Sequence, residues 1–236
     1  FDKKGRPKAE YSKKFKEEKA REKWERTRSW IGKQAEIEKH INKYPDKEVR
    51  DCMKLILYMG LRPGSKTNTK ADVQAYGAST LQGRHVVIQE GKVFLDFIGK
   101  KGVHQFHEVT NPRLAKMLVS RKKKVGDTGD LFAIKRNRLN DCLKGIGLKV
   151  KDLRTILAGT LAQKELKNYP NCKTLKDYKA MRNKVGDAVC SGLGNKREES
   201  LNSYIPPDIF KKHSGRQFSA FDKEQKTKAE VSLQKR

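Results

Sequence analysis

The chain has 236 residues, of which 55 are lysine or arginine and 28 are aspartate or glutamate, and its formal net charge is +27 at pH 7. Such an imbalance makes a folded chain repel itself, so it favours a polyanionic partner. Duplex DNA is the densest common polyanion, with one charge per roughly 1.7 Å of helix axis. An anionic membrane surface is the alternative, but it requires a basic helix with an apolar face, and only residues 11–30 approach that pattern.

Composition also argues against several other kinds of protein. No apolar run approaches the roughly 20 residues that span a bilayer, and no signal peptide is visible. The four cysteines are widely separated and form no Cys-x-x-Cys pair, so the sequence predicts neither a metal site nor a disulfide framework. This usage fits a reduced, intracellular compartment. Because the chain begins with Phe1, we expect a fragment from which an earlier domain is missing.

The first third of the chain predicts helices. Residues 1–29 are charged and polar, and from Ser12 onward they fit a solvated helix with Ser12 as its N-cap; a disordered arm is the alternative. Residues 30–60 have a helical apolar period, and Pro45-Asp46 starts a second helix within them. We expect the segment Arg62-Pro63-Gly64-Ser65 to end that helix.

The apolar period changes between residues 80 and 110. Three short strands are predicted there, at His85–Gln89, Val93–Ile98 and Gln105–Val109, with Gly-containing turns between them. They form a small antiparallel sheet, and Lys100 lies at the tip of its second hairpin.

The rest of the chain predicts helices again. Those after Pro112 are expected at Leu131–Ile146, Asp152–Leu166 and Leu175–Leu193, the last ending at Gly194, with a short helix starting at Pro206-Pro207. The predicted fold is therefore mainly α with a small three-stranded antiparallel β-sheet. We divide the chain into residues 1–29 (a basic connecting helix or the end of a missing N-terminal DNA-binding domain), 30–212 (a catalytic domain) and 213–236 (a basic C-terminal tail).

Five polar residues lie beside predicted structural breaks: Arg62, Lys100, Arg154, Asn195 and Tyr204. A tyrosine that attacks a DNA phosphodiester builds negative charge on two non-bridging oxygens, which two arginines can clamp with their planar forks. A lysine can protonate the departing 5′-oxygen. In so basic a chain, however, a single Arg or Lys is more often a solvated or phosphate-contacting charge, and a lone Tyr usually belongs to the core or the surface.

The order and separation of short motifs resemble one family. They are Leu61-Arg62-Pro63-Gly64-Ser65, Tyr76-Gly77-Ala78-Ser79-Thr80-Leu81 with His85-Val86, Phe97-Ile98-Gly99-Lys100, Lys151-Asp152-Leu153-Arg154-Thr155, Leu193-Gly194-Asn195 and Ser203-Tyr204-Ile205. Together they are similar to the motifs of poxvirus-like and bacterial type IB DNA topoisomerases, over roughly residues 5–210. The resemblance implies the catalytic-domain fold that these enzymes share with tyrosine recombinases.

The resemblance also implies roles for the residues. Tyr204 is the nucleophile that forms a 3′-phosphotyrosyl link, Arg62 and Arg154 hold the scissile phosphate, and Asn195 donates a hydrogen bond to it. Lys100 protonates the 5′-oxygen, with Lys151 as a candidate auxiliary acid. No metal or cofactor is implied. The expected partner is double-stranded DNA, clamped by a monomer without any membrane contact, and the expected location is intracellular and DNA-associated. The residues expected to contact DNA are Arg6, Gln74, Tyr76, Arg84, His85 and Lys101.

The sequence departs from the family pattern between Asn195 and Tyr204. The stretch Lys196–Asn202 lacks the Thr-Pro pair and the basic residue that relatives often show, and Glu198 and Glu199 place negative charge near the nucleophile. This departure favours one alternative, a non-catalytic DNA-binding protein of the same fold.

The other alternative is a tyrosine recombinase or integrase. Recombinases typically have His-x-Leu-Arg, where this chain has Lys151-Asp152-Leu153-Arg154. His104 and His107 do not form part of a recognisable metal-ligand motif, and we expect both at the surface.

Overall fold

The chain folds into successive helices interrupted by one three-stranded sheet. The computed structural model describes residues 12–69, 74–134, 136–169, 172–206, 208–214, 218 and 220–221. Within these ranges the elements are α1 (Lys13–Arg28), α2 (Gln34–Asn42), α3 (Lys47–Met59), α4 (Lys66–Thr69), β1 (Val86–Gln89), β2 (Lys92–Ile98), β3 (His104–Glu108), α5 (Pro112–Val125), α6 (Arg136–Asp141), α7 (Val150–Leu166), α8 (Leu175–Leu193), α9 (Arg197–Glu199), a π-helical turn (Ser200–Tyr204) and α10 (Asp208–Ser214). This architecture confirms the predicted fold class.

Side-chain caps explain where several helices begin. The hydroxyl of Ser12 accepts the backbone N–H of Phe15 at the start of α1. Asp46 accepts the N–H of Glu48 at 2.9 Å at the start of α3, and Thr174 caps α8 in a capping box. Each cap satisfies backbone donors that have no partner inside the helix. The predicted helix from Ser12 onward is therefore confirmed for the part of the chain that is described.

The sheet has the strand order β1-β2-β3, with both pairs antiparallel. Leu95 is the register partner of Val86 on one side and of His107 on the other. One face buries Leu95 and its neighbours on β2, whereas the opposite face carries Phe94 stacked on Phe106, with ring centroids 5.1 Å apart. The predicted three-stranded antiparallel sheet is confirmed, with strand ends shifted by at most one residue.

Helix α7 lies between two apolar clusters. Leu153 and Ile156 pack in the cluster that includes α2, α3 and the sheet, and Leu157 and Ala158 pack in the cluster that includes α8 and α10. Fully burying a side chain such as Leu stabilises the fold by about 1.5–3 kcal/mol. Because both clusters pack against α7, the helix can hold a polar side chain in a fixed position. Within the described residues, no helix is both long and apolar enough to cross a membrane.

One predicted helix is wrong, whereas the predicted end of α3 is close. The segment Leu131–Ile146 is not one helix, because the N–H of Leu131 donates to Leu81 O at 2.8 Å and this pairing keeps the segment extended before α6. Helix α3 ends at Met59 with Gly60 in the left-handed region, which agrees with the predicted helical range that stops before Arg62.

The C-terminal part of the chain is described only in pieces. Pro207, one of the two predicted helix-starting prolines, lies outside the described residues, and α10 begins at Asp208. Phe218 is buried and its ring stacks on Tyr178 with a centroid distance of 4.4 Å. Residues 222–236 of the predicted tail are outside the described ranges.

Candidate active site

The loop that carries Arg62 is held against the Tyr76–Thr80 segment. The carbonyl of Arg62 accepts the N–H of Ala78 at 2.8 Å, and Pro63 O accepts the N–H of Ser79 at 2.8 Å. A Cβ atom on Gly77 would lie 2.5 Å from Arg62 O and from Gly64 N. Glycine at position 77 therefore lets two backbone segments approach closely, which is the physical reason for a Tyr-Gly pair here.

Arg154 lies on the second turn of α7 and is 4 % exposed. Its guanidinium donates to Gly60 O, to Leu193 O at 3.3 Å and to the Asn195 side-chain oxygen at 3.0 Å. Burial lowers the pKa of Arg154, and its interactions with Tyr204 oppose that shift. The Nε atom is buried and has no hydrogen-bond partner among the described residues. Arg154 is thus fixed by backbone carbonyls and retains a donor for another group.

Asn195 follows the C-cap of α8, where Gly194 adopts φ +60°. The Asn195 Oδ1 accepts from Arg154, while its Nδ2 is buried without a partner in the described chain. A buried donor without a partner costs about 1–3 kcal/mol. This cost is relieved when a ligand supplies an acceptor, so Asn195 and Arg154 together present donors suited to an anion.

Strand β3 reaches this same corner. The side chain of Gln105 donates to Gly194 O at 3.0 Å, and His107 Nε2 donates to Gln105 Oε1 at 3.1 Å. His107 is half-buried, and burial together with the charge of Arg154 lowers its pKa. The expectation that His107 is a surface residue is therefore wrong, because its side chain faces the α8 end; His104 is exposed as expected.

Tyr204 ends the π-helical turn, in which Ile205 N donates to Ser200 O at 2.9 Å. Its ring centroid lies 5.0 Å from the guanidinium carbon of Arg154. The atypical stretch before it is tied to α8, because Arg197 pairs with both carboxylate oxygens of Asp187. A Cβ atom on Gly186 would lie 2.8 Å from Arg197 Cγ, so the turn and α8 pack closely.

The acidic residues of that turn differ in their contacts. Glu199 Oε1 lies 3.1 Å from Arg62 Nη2, and these side chains are 45 % and 35 % exposed. Glu198 is exposed. The ion pair joins the Arg62 loop to the turn that ends at Tyr204, and the charge of Arg62 contributes to lowering the pKa of Arg154.

The lysines of the predicted site lie at its edge. Lys100 is exposed at the β2–β3 turn, and within the described ranges it makes no hydrogen bond with the other four residues. Lys101 is exposed beside it with φ +66°, and Lys151 is exposed on the first turn of α7. The hairpin nevertheless contacts the site through Gln105.

Three of the residues expected to contact DNA form a connected surface group. The Tyr76 hydroxyl donates to Gln74 at 3.0 Å and accepts from Arg84 at 2.7 Å. The ring of His85 packs against that of Tyr76 at a centroid distance of 4.3 Å with the planes tilted by 58°, and His85 is only 7 % exposed. Its Nδ1 accepts the N–H of Gln82 at 2.9 Å, and a contact of His85 with DNA stays a prediction. Arg6 lies outside the described residues.

Sequence reasoning missed the residues that support this site. Gln105 and Lys23 carry no local signal, because their partners, Gly194 O and Ser203 O, are backbone atoms far along the chain. The alternation of β3 could have placed Gln105 and His107 on one face. It could not have shown that this face meets α8.

The site can bind a negatively charged ligand beside a tyrosine hydroxyl. Arg154 lies against the Tyr204 ring and is bonded to Asn195, while Arg62 pairs with Glu199 on the turn that ends at Tyr204. Arginine and amide donors of this kind match the needs of a phosphate group. The described residues include no group of three or more His, Cys, Asp or Glu side chains that could hold a metal ion.

Comparison with known proteins identifies the family. The family model described as "Eukaryotic DNA topoisomerase I, catalytic core" matches residues 12–231. A comparison with curated proteins finds no match for the chain. Since the family match spans nearly the whole chain, this protein belongs to the DNA topoisomerase I catalytic-core family, whose substrate is DNA.

Proposed function

We propose that the chain relaxes supercoiled DNA by cutting one strand with Tyr204 and then resealing it, by the type IB mechanism. The observation that carries the proposal is the set of buried donors beside Tyr204. Arg154 Nε and Asn195 Nδ2 are buried without partners in the described chain, and the Arg154 guanidinium lies against the Tyr204 ring. A scissile phosphate is the acceptor that fits these donors.

The proposed reaction exchanges one phosphoester bond for another. The Tyr204 oxygen attacks phosphorus and loses its proton to solvent, while the bond from phosphorus to the 5′-oxygen breaks. Lys100 gives the 5′-oxygen its proton, with Lys151 as the auxiliary donor. The product is a 3′-phosphotyrosyl ester that retains the bond energy, so the 5′-hydroxyl can reverse the step without ATP. Arg62, Arg154 and Asn195 stabilise the charge that develops on the phosphate oxygens.

Within the family, we propose the poxvirus-like and bacterial branch. The support is the order and spacing of the motifs quoted above, among them Leu193-Gly194-Asn195 with Asn195 nine residues before Tyr204, which are similar to those of that branch. We also propose that the protein acts as a monomer that clamps duplex DNA.

Plasmid relaxation in EDTA tests the function, with wild type beside Tyr204→Phe. We expect relaxation by wild type and none by the variant, because phenylalanine lacks the attacking oxygen. A suicide duplex with a nick near the cleavage site should trap wild type as a covalent complex that is labile to nuclease and stable in detergent.

Two outcomes would contradict the proposal. Relaxation by Tyr204→Phe would show a different nucleophile, and the absence of both relaxation and a covalent complex in wild type would favour a non-catalytic DNA-binding protein.

A further inference from the structure

Helix α1 contacts two of the elements that carry candidate catalytic residues, namely the turn that ends at Tyr204 and helix α7, which carries Arg154. Lys23 Nζ donates to Ser203 O at 2.6 Å, directly before Tyr204. Arg26 makes a two-point ion pair with Asp152, with N–O distances of 2.6 and 2.9 Å, two residues before Arg154.

The Asp152 contact is a buried junction. Asp152 is 2 % exposed, and its Oδ2 also accepts the N–H of Lys149 at 2.8 Å, at the start of α7. The hydrogen bond with Asp152 raises the pKa of Arg26. A two-point arginine–carboxylate pair fixes orientation as well as distance. Arg26 therefore holds α1 in a defined position against the first turn of α7.

The junction continues beyond the end of α1. The N–H of Gly32 donates to Thr160 Oγ1 at 2.9 Å, and a Cβ atom on Gly159 would lie 2.6 Å from Ile31 Cδ1. The chain from α1 to Gly32 thus contacts α7 near Asp152 and again near Gly159 and Thr160. These contacts fix the position of α1, and therefore the position of Lys23.

The Lys23 contact acts on a less regular segment. Ser203 lies in the π-helical turn that ends at Tyr204, where the regular pattern of helical hydrogen bonds stops. A carbonyl at a helix end needs a partner from elsewhere, and an ammonium group forms a charge-assisted bond with it. Lys23 also lies 3.8 Å from the Trp24 ring centroid, which limits its freedom.

We infer that Lys23 is a positioning residue that holds the backbone of Ser203 so that Tyr204 faces Arg154. This inference rests on the function proposed above, because it concerns the approach of the Tyr204 oxygen to a phosphate. Reacting atoms must lie about 3–3.5 Å apart and aligned, and a 1 Å displacement can cost on the order of 100-fold in rate. Among the described residues, Lys23 bonds to no catalytic side chain, so it acts on Tyr204 through the Ser203 backbone.

The test uses the full chain and three variants. Lys23→Met removes the ammonium and keeps an unbranched side chain, so it leaves no buried charge unpaired. Lys23→Arg retains a cationic donor. Lys19→Met is the matched control, because it removes one positive charge from the same helix at a residue whose described contacts, with Glu22 and with the Phe15 ring, stay within α1.

The measured quantities are the single-turnover rate of covalent-complex formation on a suicide duplex, the DNA Kd in a Tyr204→Phe background, and Tm. For Lys23→Met we expect a rate about 10- to 100-fold below that of Lys19→Met. Its Kd and Tm should match those of the control, and Lys23→Arg should recover most of the rate.

Each other outcome has a distinct meaning. If Lys23→Met cleaves at the control rate, or slows only in proportion to a loss of Tm or DNA affinity, the positioning role is wrong while the proposed function stands. If wild type itself forms no covalent complex, the proposed function fails and the inference fails with it.

Discussion

Glu199 places a carboxylate where the resemblance expects a phosphate, 3.1 Å from the guanidinium of Arg62. Arginine binds carboxylate and phosphate oxygens in similar ways, so DNA must displace Glu199 before Arg62 can hold the scissile phosphate. Both side chains are more than a third exposed, so solvent screens the ion pair. Its contribution to stability is therefore no more than about 1 kcal/mol. The contact is therefore weak enough for DNA to replace it.

Substituting Glu199→Gln should tighten the apparent binding of DNA by about two- to fivefold, which corresponds to at most about 1 kcal/mol. The reason is that the amide competes poorly for Arg62. The measurement is the DNA concentration that gives half-maximal single-turnover cleavage. Glu198→Gln is the control, because it removes an equal charge from the exposed neighbour. Equal gains in the two variants would mean that only long-range charge acts and that the Arg62 contact is irrelevant.

His85 supports a second prediction at the scale of one residue. Burial lowers its pKa from 6.5 to about 4, so the folded protein holds it neutral while the unfolded chain protonates it below about pH 6.5. A lowered folded-state pKa gives stability that is present above the unfolded pKa and lost as pH falls toward the folded one. Stability should therefore fall by about 2 kcal/mol between about pH 7 and pH 5 on account of this residue.

Urea unfolding at several pH values measures this loss. His85→Asn keeps an acceptor for the N–H of Gln82 and cannot titrate, so it should reduce the pH dependence of the free energy of unfolding by the same amount. If the variant and wild type lose stability in parallel, other groups account for the pH dependence.

At the scale of elements, the ends of helices place the site. Gly60 ends α3 in the left-handed region, and its carbonyl accepts from Arg154. A Cβ atom there would lie 2.5 Å from Leu193 Cδ2 and 2.9 Å from Leu157 Cδ2. The residue thus joins three helices, α3, α7 and α8, at the point where Arg154 is held.

Gly60→Ala and Gly147→Ala form a matched pair, because both glycines have left-handed φ and only Gly60 is crowded. Gly147→Ala should cost about 1 kcal/mol, the strain of a left-handed alanine. Gly60→Ala should cost about 1–3 kcal/mol more, from overpacking against the two leucines. It should also slow single-turnover cleavage by displacing the carbonyl that holds Arg154. Equal losses in urea unfolding would show that the packing at Gly60 relaxes freely.

Elements with local signals were predictable from the sequence, and contacts between elements were not. The caps Ser12, Asp46 and Gly194 are local, so the ends that they mark were predicted correctly. The expected helix from Leu131 was wrong because a backbone bond to Leu81, distant in sequence, overrides its apolar period.

The candidate site shows the same limit. The motifs predicted which residues belong together, and the structure does place Arg154, Asn195 and Tyr204 side by side. The support from Lys23 and Gln105 depends on long-range contacts with backbone carbonyls, whose partners have no identifying side chain. The burial of His85 could not be predicted from its motif, because a polar residue can be buried when its hydrogen bond is satisfied inside the fold.

At the scale of the whole molecule, the net charge of +27 makes the affinity for DNA depend on salt concentration. Each phosphate that it neutralises releases counterions, so the binding constant falls steeply as salt rises. For a clamp that contacts about 6–10 phosphates, affinity drops by about 10³–10⁵ between 50 and 200 mM salt. Tight binding at low salt slows release after each round of relaxation, whereas weak binding at high salt limits the encounter.

Steady-state plasmid relaxation should therefore rise to a maximum and then fall as salt increases from about 25 to about 500 mM. Single-turnover cleavage at saturating enzyme requires no release, so it should stay level on the low-salt side and decline only when binding fails. Lys101→Ala removes an exposed charge beside Lys100. It should reduce the slope of log Kd against log salt concentration by about 1, which is the contribution of one phosphate contact. A steady-state rate that is flat across the range, or that parallels the single-turnover rate throughout, would count against a clamp whose opening limits turnover.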